Sequence, residues 1–375
     1  MKTKAAVLRG INEEWQIEGV ELGDPVAGEV QVKLVASGLC HSDHHLRTGQ
    51  SPVPMPIVGG HEGAGIVTNV GPGVTRFAEG DHVVTAFIPA CGVCGPCSRG
   101  QQNICDEGAG LLTGLAIADK THRVTNEAGE ELAQMCLLGT FSPYITVHEA
   151  SLVKIEDDIP LQAAALLGCG VATGWGSATE IGGTKVGDTV VVVGIGGVGI
   201  NSVQGAKAAG ARHVVAVDPV KFKRDMAEKL GATHVFESME EAIPAVGEMT
   251  WGAGANTVIL TVGEMKGEYI APALAMTGKG GQVVVVGMGD YQAMDVQLNL
   301  FELTLLQKRV QGAIFGGAGP RTQVPKLLNE YRAGQLNLAD LVTQTYKLED
   351  INKAYDAMEA GENIRGMIVY DEADW

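Results

Sequence analysis

Positive charge is in short supply in this chain. Its 27 Lys and Arg residues face 44 Asp and Glu residues, for a net charge of -17. Such a surface repels phosphate backbones and anionic headgroups, which argues against a nucleic-acid or membrane-surface partner. Long apolar runs are missing too. The opening stretch MKTKAAVLRG lacks the apolar core of a secretory signal, and no run approaches the length of a membrane span. Cysteine is scarce, seven in 375 residues, so the disulfide framework of a small secreted protein is not expected and a reducing compartment fits. Internal repeats, low-complexity tracts and obvious linkers are also lacking. These absences lead to the expectation of a cytoplasmic protein whose domains pack closely around a cleft.

What is present suits two domains. The chain has 375 residues, 45% of them hydrophobic and 19% charged, enough to bury a large interior. The first 150 or so residues read as short strands broken by Gly and Pro: EVQVKLVA from Glu29, GAGIVTNVG from Gly63 and DHVVTAF from Asp81. The stretch from Asp106 to Gln134 shows little periodicity and reads as an excursion between strands. After Cys169 the texture changes. β-branched runs at Thr189, Val214, Thr257 and Gln282 alternate with amphipathic helices such as KFKRDMAEKLG, the pattern of a parallel sheet covered on both faces. From about Phe315 a helical stretch, VPKLLNEYRAG, and a closing strand, IRGMIVY, return toward the first lobe. The fold class is therefore α/β: a doubly wound parallel-sheet domain over 171–314, and a mostly-β domain over 1–170 and 315–375.

Four cysteines crowd the run CGVCGPCSRGQQNIC: Cys91, Cys94, Cys97 and Cys105. Zinc takes four thiolates at tetrahedral corners, and such a set leaves no position open for substrate. The spacing points to a structural zinc, so the chemistry must lie elsewhere.

TVVVVGIGGVG sets Gly194, Gly196 and Gly199 directly after a buried strand and at the start of a helix. The first glycine makes the turn, the second admits a pyrophosphate, and the third lets helix and strand pack closely. Asp218 ends the next strand, where a carboxylate accepts both adenosine ribose hydroxyls and repels a 2′-phosphate, favouring NAD over NADP. Lys221, Lys223 and Arg224 read as a solvated helix face with a ribose contact rather than as a phosphate clamp.

Three further potential ligands stand in unusual settings: Cys40 in GLCHSDHH, His61 in GGHEGAG and Cys169 in LLGCGVATG. Two thiolates and an imidazole make a three-ligand catalytic zinc set with one position open. Taken singly, each also fits a buried thiol or a hydrogen-bonded loop histidine.

The ordered series LCHSD, GGHEGAG, CGVCGPCSRGQQNIC, GCGVATGWG, GIGGVG, GAIFGG and NIRGMIVY covers nearly the whole chain and resembles the zinc-dependent medium-chain alcohol dehydrogenases. The resemblance implies a GroES-like catalytic domain beside a Rossmann domain, two zinc ions per chain, NAD(H), and a small alcohol or aldehyde as substrate. It matches Cys40, His61 and Cys169 to the catalytic zinc ligands, Glu62 to a carboxylate beside the metal, and the loop cysteines to the structural zinc. Asp43 matches a position that orients the histidine ligand. Zinc in that role is a Lewis acid toward an alcohol whose hydride passes to nicotinamide. Ser42 and His45 match the proton relay, imidazole ordinarily titrating near working pH, with His44 a competitor for the second place. His41 and Arg365 match pyrophosphate contacts, and Lys223 the adenosine ribose contact. Thr173, Val198, Val286, Gly287, Met288 and the backbone around Phe315 match the nicotinamide pocket, within a cofactor site that also takes in Gly197. Phe87 matches a residue narrowing the substrate channel, and Trp175 lies further along the cofactor side. Cys136 belongs to neither metal set and reads as a buried structural thiol.

The pattern departs in two places. His41 stands where many relatives carry arginine, a stronger anion clamp, so the rate of NAD release is expected to differ. Ala109 stands where glutathione-dependent relatives carry an arginine for the substrate carboxylates, which argues against glutathione-adduct chemistry. GTFSPYITVHEAS and TGWGSATEIGGTKVGDTVVVVG resemble the nicotinoprotein branch, which retains NAD(H) and passes electrons to an external acceptor such as a nitrosoaniline dye. The leading expectation is an NAD-linked zinc dehydrogenase of primary, including aromatic, alcohols, assembled as a homodimer or homotetramer. The alternatives are an S-hydroxymethylglutathione or polyol dehydrogenase of the same fold, and a non-catalytic NAD-binding redox sensor.

Overall fold

The structure, a computed structural model, describes residues 1–375. It divides into two compact units: Met1–Cys169 with Gly319–Leu327 and Leu338–Trp375, and Gly170–Ala318 with Leu328–Asn337. Residues 315–318 and 328–337, assigned by sequence to the first domain, therefore pack with the second. The helix that starts at Pro320 runs on to Arg332, so the chain changes unit within one continuous helix, where no composition shift marks the change.

In the first unit five short strands close a barrel: Lys2–Leu8, Gln16–Leu22, Val124–Asn126, Glu131–Gln134 and Ile57–Val58. Two of these lie inside the stretch read from sequence as an excursion. At three and four residues they are too short to show an alternating pattern. A second sheet of seven strands is built around Glu29–Gly38, which pairs antiparallel with Glu62–Val70 and with Tyr144–His148. The closing strand Arg365–Val369 lies against the other end of Glu29–Gly38, with Met367 opposite Gly38. Trp15, Phe141 and Tyr355 form an aromatic centre in this unit's core, Trp15 and Tyr355 stacked at 6.1 Å between ring centroids.

The second unit holds a six-stranded sheet, all parallel, in the order His234–Phe236, His213–Val217, Thr189–Val193, Ala255–Leu260, Thr277–Val285, Arg309–Gly312. In sequence order this is 3-2-1-4-5-6, the dinucleotide-binding topology. The valines of Thr189–Val193 are buried on both faces, as a central parallel strand requires. No helix is long and apolar enough to cross a membrane.

Candidate active site

Strand register assembles the first metal cluster. Gly38 pairs with Glu62 across the antiparallel ladder, so Cys40, two residues beyond one strand, comes beside His61 and Glu62 at the start of the other. Cys40 is extended and caps the short helix His41–Arg47, turning its thiol back toward the strand ends. Cys169 follows the turn Leu166–Gly168, and the Gly168 carbonyl accepts the Phe87 N–H at 3.4 Å. The ligand atoms of Cys40, His61, Glu62 and Cys169 all lie within 4.8 Å of one another, and all four residues are buried.

The imidazole is held from behind. Asp43 Oδ2 lies 3.1 Å from His61 Nδ1, and Asp43 Oδ1 accepts the Gly60 N–H at 2.8 Å. Both ring nitrogens of His61 are buried without a hydrogen bond, Nδ1 having only its ion-pair contact with Asp43. A buried ring nitrogen left unpaired, grouped with two thiols and a carboxyl, fits a metal ligand, since an orphan of this kind is otherwise costly. Hydrogen bonding between the two thiols holds Cys40 well below the usual thiol range and Cys169 well above it. Burial pushes His61 down, but the charges of Asp43 and Cys40 outweigh it and leave the ring well above its ordinary value.

The remaining positions around this cluster are distinct. Arg365 pairs with Glu62, both side chains almost wholly buried. Burial raises the Glu62 carboxyl while the guanidinium opposes it. Ser42 Oγ lies 3.7 Å from Cys40 Sγ. His45 is buried, and its Nδ1 meets the Gln50 side chain. His44, the competitor for the relay, is engaged elsewhere: it pairs with Glu359 at 3.1 Å and stacks on Tyr355. The Phe87 ring stands edge-on to His61 at 5.9 Å. His41 opens the helix His41–Arg47. Thr85 was missed by sequence reasoning. Its buried hydroxyl accepts the Gly63 N–H at 2.8 Å and so fixes the backbone just after His61, but a lone threonine in a strand gives no signal of this.

The second cluster matches its spacing. Cys91 and Cys97 sulfurs lie 3.9 Å apart, and those of Cys94 and Cys105 3.8 Å apart. A disulfide needs about 2.05 Å, whereas sulfurs at tetrahedral corners around zinc, each about 2.3 Å from it, lie about 3.8 Å apart. Backbone N–H groups already point at the sulfurs: Val93 and Cys94 donate to Cys91 at 3.5 and 3.3 Å, and Asp106 to Cys94 at 3.4 Å. Burial would raise Cys91, but these donors bring it down to about 7. Burial pushes Cys105 up to about 12. Cys136 lies outside both clusters, buried in the first unit's core, and burial pushes it too up to about 12.

In the second unit the glycine turn is built as its spacing requires. Gly194 sits at φ +90°, and a Cβ on Gly199 would overlap the Gly194 carbonyl. Space is open around the Cβ direction of Gly196, room that a pyrophosphate would fill. Asn201 donates to the Gly197 carbonyl at 2.8 Å, and Val198 caps the helix Gly199–Ala208. Asp218 accepts the N–H groups of Ile195 at 2.7 Å and Val220 at 2.9 Å. Lys221 pairs with Asp225, and Arg224 donates to the carbonyls of Asp218 and Pro219 at 2.7 and 2.9 Å. Arg224 is thus not the solvated cation read from sequence; it is bound to the backbone. Lys223 is half-buried on the same helix. Val286 and Gly287 both donate to the Leu260 carbonyl, at 3.0 and 3.1 Å, and Met288 is exposed. Thr173 and Trp175 are buried, the Thr173 hydroxyl without a partner, and Phe315 is fully buried at φ +49°.

Two family models match the chain, an alcohol dehydrogenase GroES-like domain over residues 26–157 and a zinc-binding dehydrogenase over 197–332. The chain is 51% identical over 375 residues to alcohol dehydrogenase B of Mycobacterium tuberculosis, covering 100% of both. It belongs to the zinc-dependent medium-chain alcohol dehydrogenases. This dehydrogenase is also 48% identical over 370 residues to the NDMA-dependent alcohol dehydrogenase of Amycolatopsis methanolica, covering 99% of each chain. The crystal structure of benzyl alcohol dehydrogenase from Acinetobacter calcoaceticus matches with a TM-score of 0.91 at 29% identity, over 99% of this chain and 100% of that one. The protein is an enzyme of zinc-dependent alcohol and aldehyde oxidoreduction, using NAD(H) and acting on small molecules. The glutathione-adduct, polyol and non-catalytic readings are not favoured.

Proposed function

We infer that Cys40, His61 and Cys169 hold the catalytic zinc, with Glu62 beside it, and that the enzyme oxidises primary alcohols, aromatic ones included, while retaining NAD(H) through turnover. The observation that carries the metal assignment is the buried cluster itself, one ligand atom each from Cys40, His61, Glu62 and Cys169 within 4.8 Å of one another, with Asp43 Oδ2 3.1 Å from His61 Nδ1. Zinc bound there would supply Lewis acidity toward the alcohol, and bound NAD would supply the hydride acceptor. The chain's own residues do the rest. Ser42 would pass on the hydroxyl proton and His45 would take it. Cys91, Cys94, Cys97 and Cys105 hold a second, structural zinc. His41 and Arg365 meet the pyrophosphate, Asp218 and Lys223 the adenosine ribose, and the segments at Thr173, Val198, Val286–Met288 and Phe315 the nicotinamide; Phe87 narrows the alcohol's entry.

Retention of the cofactor and aromatic substrates are supported by the likeness to the NDMA-dependent and benzyl alcohol enzymes. A homo-oligomer is supported by the edge strand Arg309–Gly312, which has sheet on one side only and is exposed along its length, and by the exposed Leu300, Phe301 and Leu305 nearby in sequence. Seven free cysteines support a reducing compartment such as the cytoplasm.

The test is an absorbance spectrum of extensively dialysed enzyme with parallel assays on benzyl alcohol. A reduced-nicotinamide band and turnover with a nitrosoaniline dye without added NAD are expected. No band, with activity only on added NAD, would overturn retention. Metal analysis of active enzyme showing a single zinc would overturn the two-zinc assignment.

A further inference from the structure

The end of the helix His41–Arg47 is a cap with an unusual occupant. Thr48 is the C-cap, and Gly49 follows at φ +76°, a conformation that glycine adopts without strain. The Gly49 N–H donates to the Leu46 carbonyl at 3.2 Å, and the Gln50 N–H reaches back to the His45 carbonyl at 3.0 Å. These two bonds define a Schellman motif, in which the residue after the glycine falls against the residue five positions before it. An apolar pair usually fills that contact. Here it is Gln50 against His45, and Gln50 Oε1 meets His45 Nδ1.

We propose that Gln50 is a positioning residue for the proton relay, fixing the ring of His45 and the nitrogen on which it accepts a proton. The inference rests on the reading of His45 as the relay base. An amide oxygen can only accept, so the hydrogen sits on Nδ1 and the lone pair of the neutral ring lies on Nε2. The proton taken from the hydroxyl chain arrives at Nε2 and leaves from Nε2 to water, while the Nδ1 hydrogen stays on Gln50. The bond survives both charge states, because the imidazolium also donates from Nδ1. A carboxylate in the same place would hold the imidazolium and delay proton release; a neutral amide sets the tautomer without that charge. His44, the next residue on the same helix, is electrostatically coupled to both His45 and Arg47. Glu359, from the helix Ile351–Glu359, pairs with His44 at 3.1 Å and lies 3.8 Å from Arg47.

The experiment compares Gln50→Leu, Gln50→Glu and His45→Ala in the full, zinc-loaded enzyme, measuring alcohol oxidation against pH together with melting temperature. Leucine preserves the apolar contact this cap favours, so Gln50→Leu is expected to melt at or above the wild-type temperature. Its kcat and kcat/KM are expected to fall together by about tenfold, the mark of a loss felt in the transition state. Gln50→Glu restores an acceptor of the same length, so kcat near the optimum recovers. Its acid limb moves up by about one pH unit, as a carboxylate beside an imidazole demands. Gln50→Leu with wild-type kcat and pH profile, beside an impaired His45→Ala, would overturn the role of Gln50 alone. His45→Ala with wild-type kinetics would overturn the relay reading itself.

Discussion

Asp43 grips His61 and the loop that carries it at the same time, one carboxylate oxygen 3.1 Å from Nδ1 and the other receiving the Gly60 N–H at 2.8 Å. Both side chains are buried, so the imidazole has little freedom to turn, and the carboxylate favours the tautomer with hydrogen on Nδ1 and the Nε2 lone pair free. Asp43→Asn keeps the size and the bond from Gly60 but places an NH2 group against Nδ1. That group donates, which forces the hydrogen onto Nε2 and blocks the ligand position. The expected outcome is a loss of about 10–100-fold in affinity for one zinc and a matching loss of activity. Zinc analysis after dialysis against a weak chelator checks this, one ion per chain remaining in the cysteine loop.

The cysteine loop makes the opposite prediction. Its four ligands leave no open position, so Cys105→Ser is expected to lower stability while leaving the other zinc in place. Acid should strip this site, because zinc binds thiolates and protons compete for them. The sign follows from Cys91, which backbone N–H groups hold at about 7 against an ordinary thiol value of 9.0. A depressed thiol favours the bound, ionised form above its shifted value and loses that advantage as pH falls through it. Chelator-driven zinc release, followed with a metal-sensitive dye, should therefore quicken as pH drops below about 7. A rate independent of pH would contradict the assignment.

Much of this was legible from residue spacing. GIGGVG after a valine run fixes a turn and a helix, and the turn is found where Gly194 and Gly199 place it. The cysteine spacing alone implied a common centre, which the four sulfurs share. Convergence of Cys40, His61 and Cys169 was not readable from spacing, because it depends on the long-range pairing of Gly38 with Glu62. The barrel strands within 106–134 were hidden by their shortness. Arg224 looked solvated because a sequence shows the charge of a side chain and not the carbonyls it reaches.

Asp218 has a task before any nucleotide arrives, since it accepts two backbone N–H groups that hold the turn after Val193 and the start of the next helix. Asp218→Asn retains one acceptor and sets a donor against the other N–H. Cofactor retention and local order should fall together. The expected outcome is release of nicotinamide on dialysis, read by absorbance, without improved use of NADP, because Arg224 is already bound to carbonyls.

Glu62 and Arg365 form a buried ion pair between the first residue of one strand and the first residue of the closing strand. Each charge was taken from water on folding, and the pair holds only while both members are present. Arg365→Met leaves a buried carboxylate with no cation, and is expected to cost about 3–5 kcal/mol of stability. Glu62→Gln alone strands the guanidinium and should cost a comparable amount. Combining the two removes both charges, so the double variant should be more stable than the sum of the single losses implies, by a coupling of about 0.5–3 kcal/mol. Denaturant unfolding of the four proteins closes the cycle. The same set separates stability from cofactor binding: if Arg365 meets the pyrophosphate, the double variant regains its fold and still binds NAD(H) weakly. Restored stability together with wild-type cofactor affinity would confine Arg365 to holding Glu62.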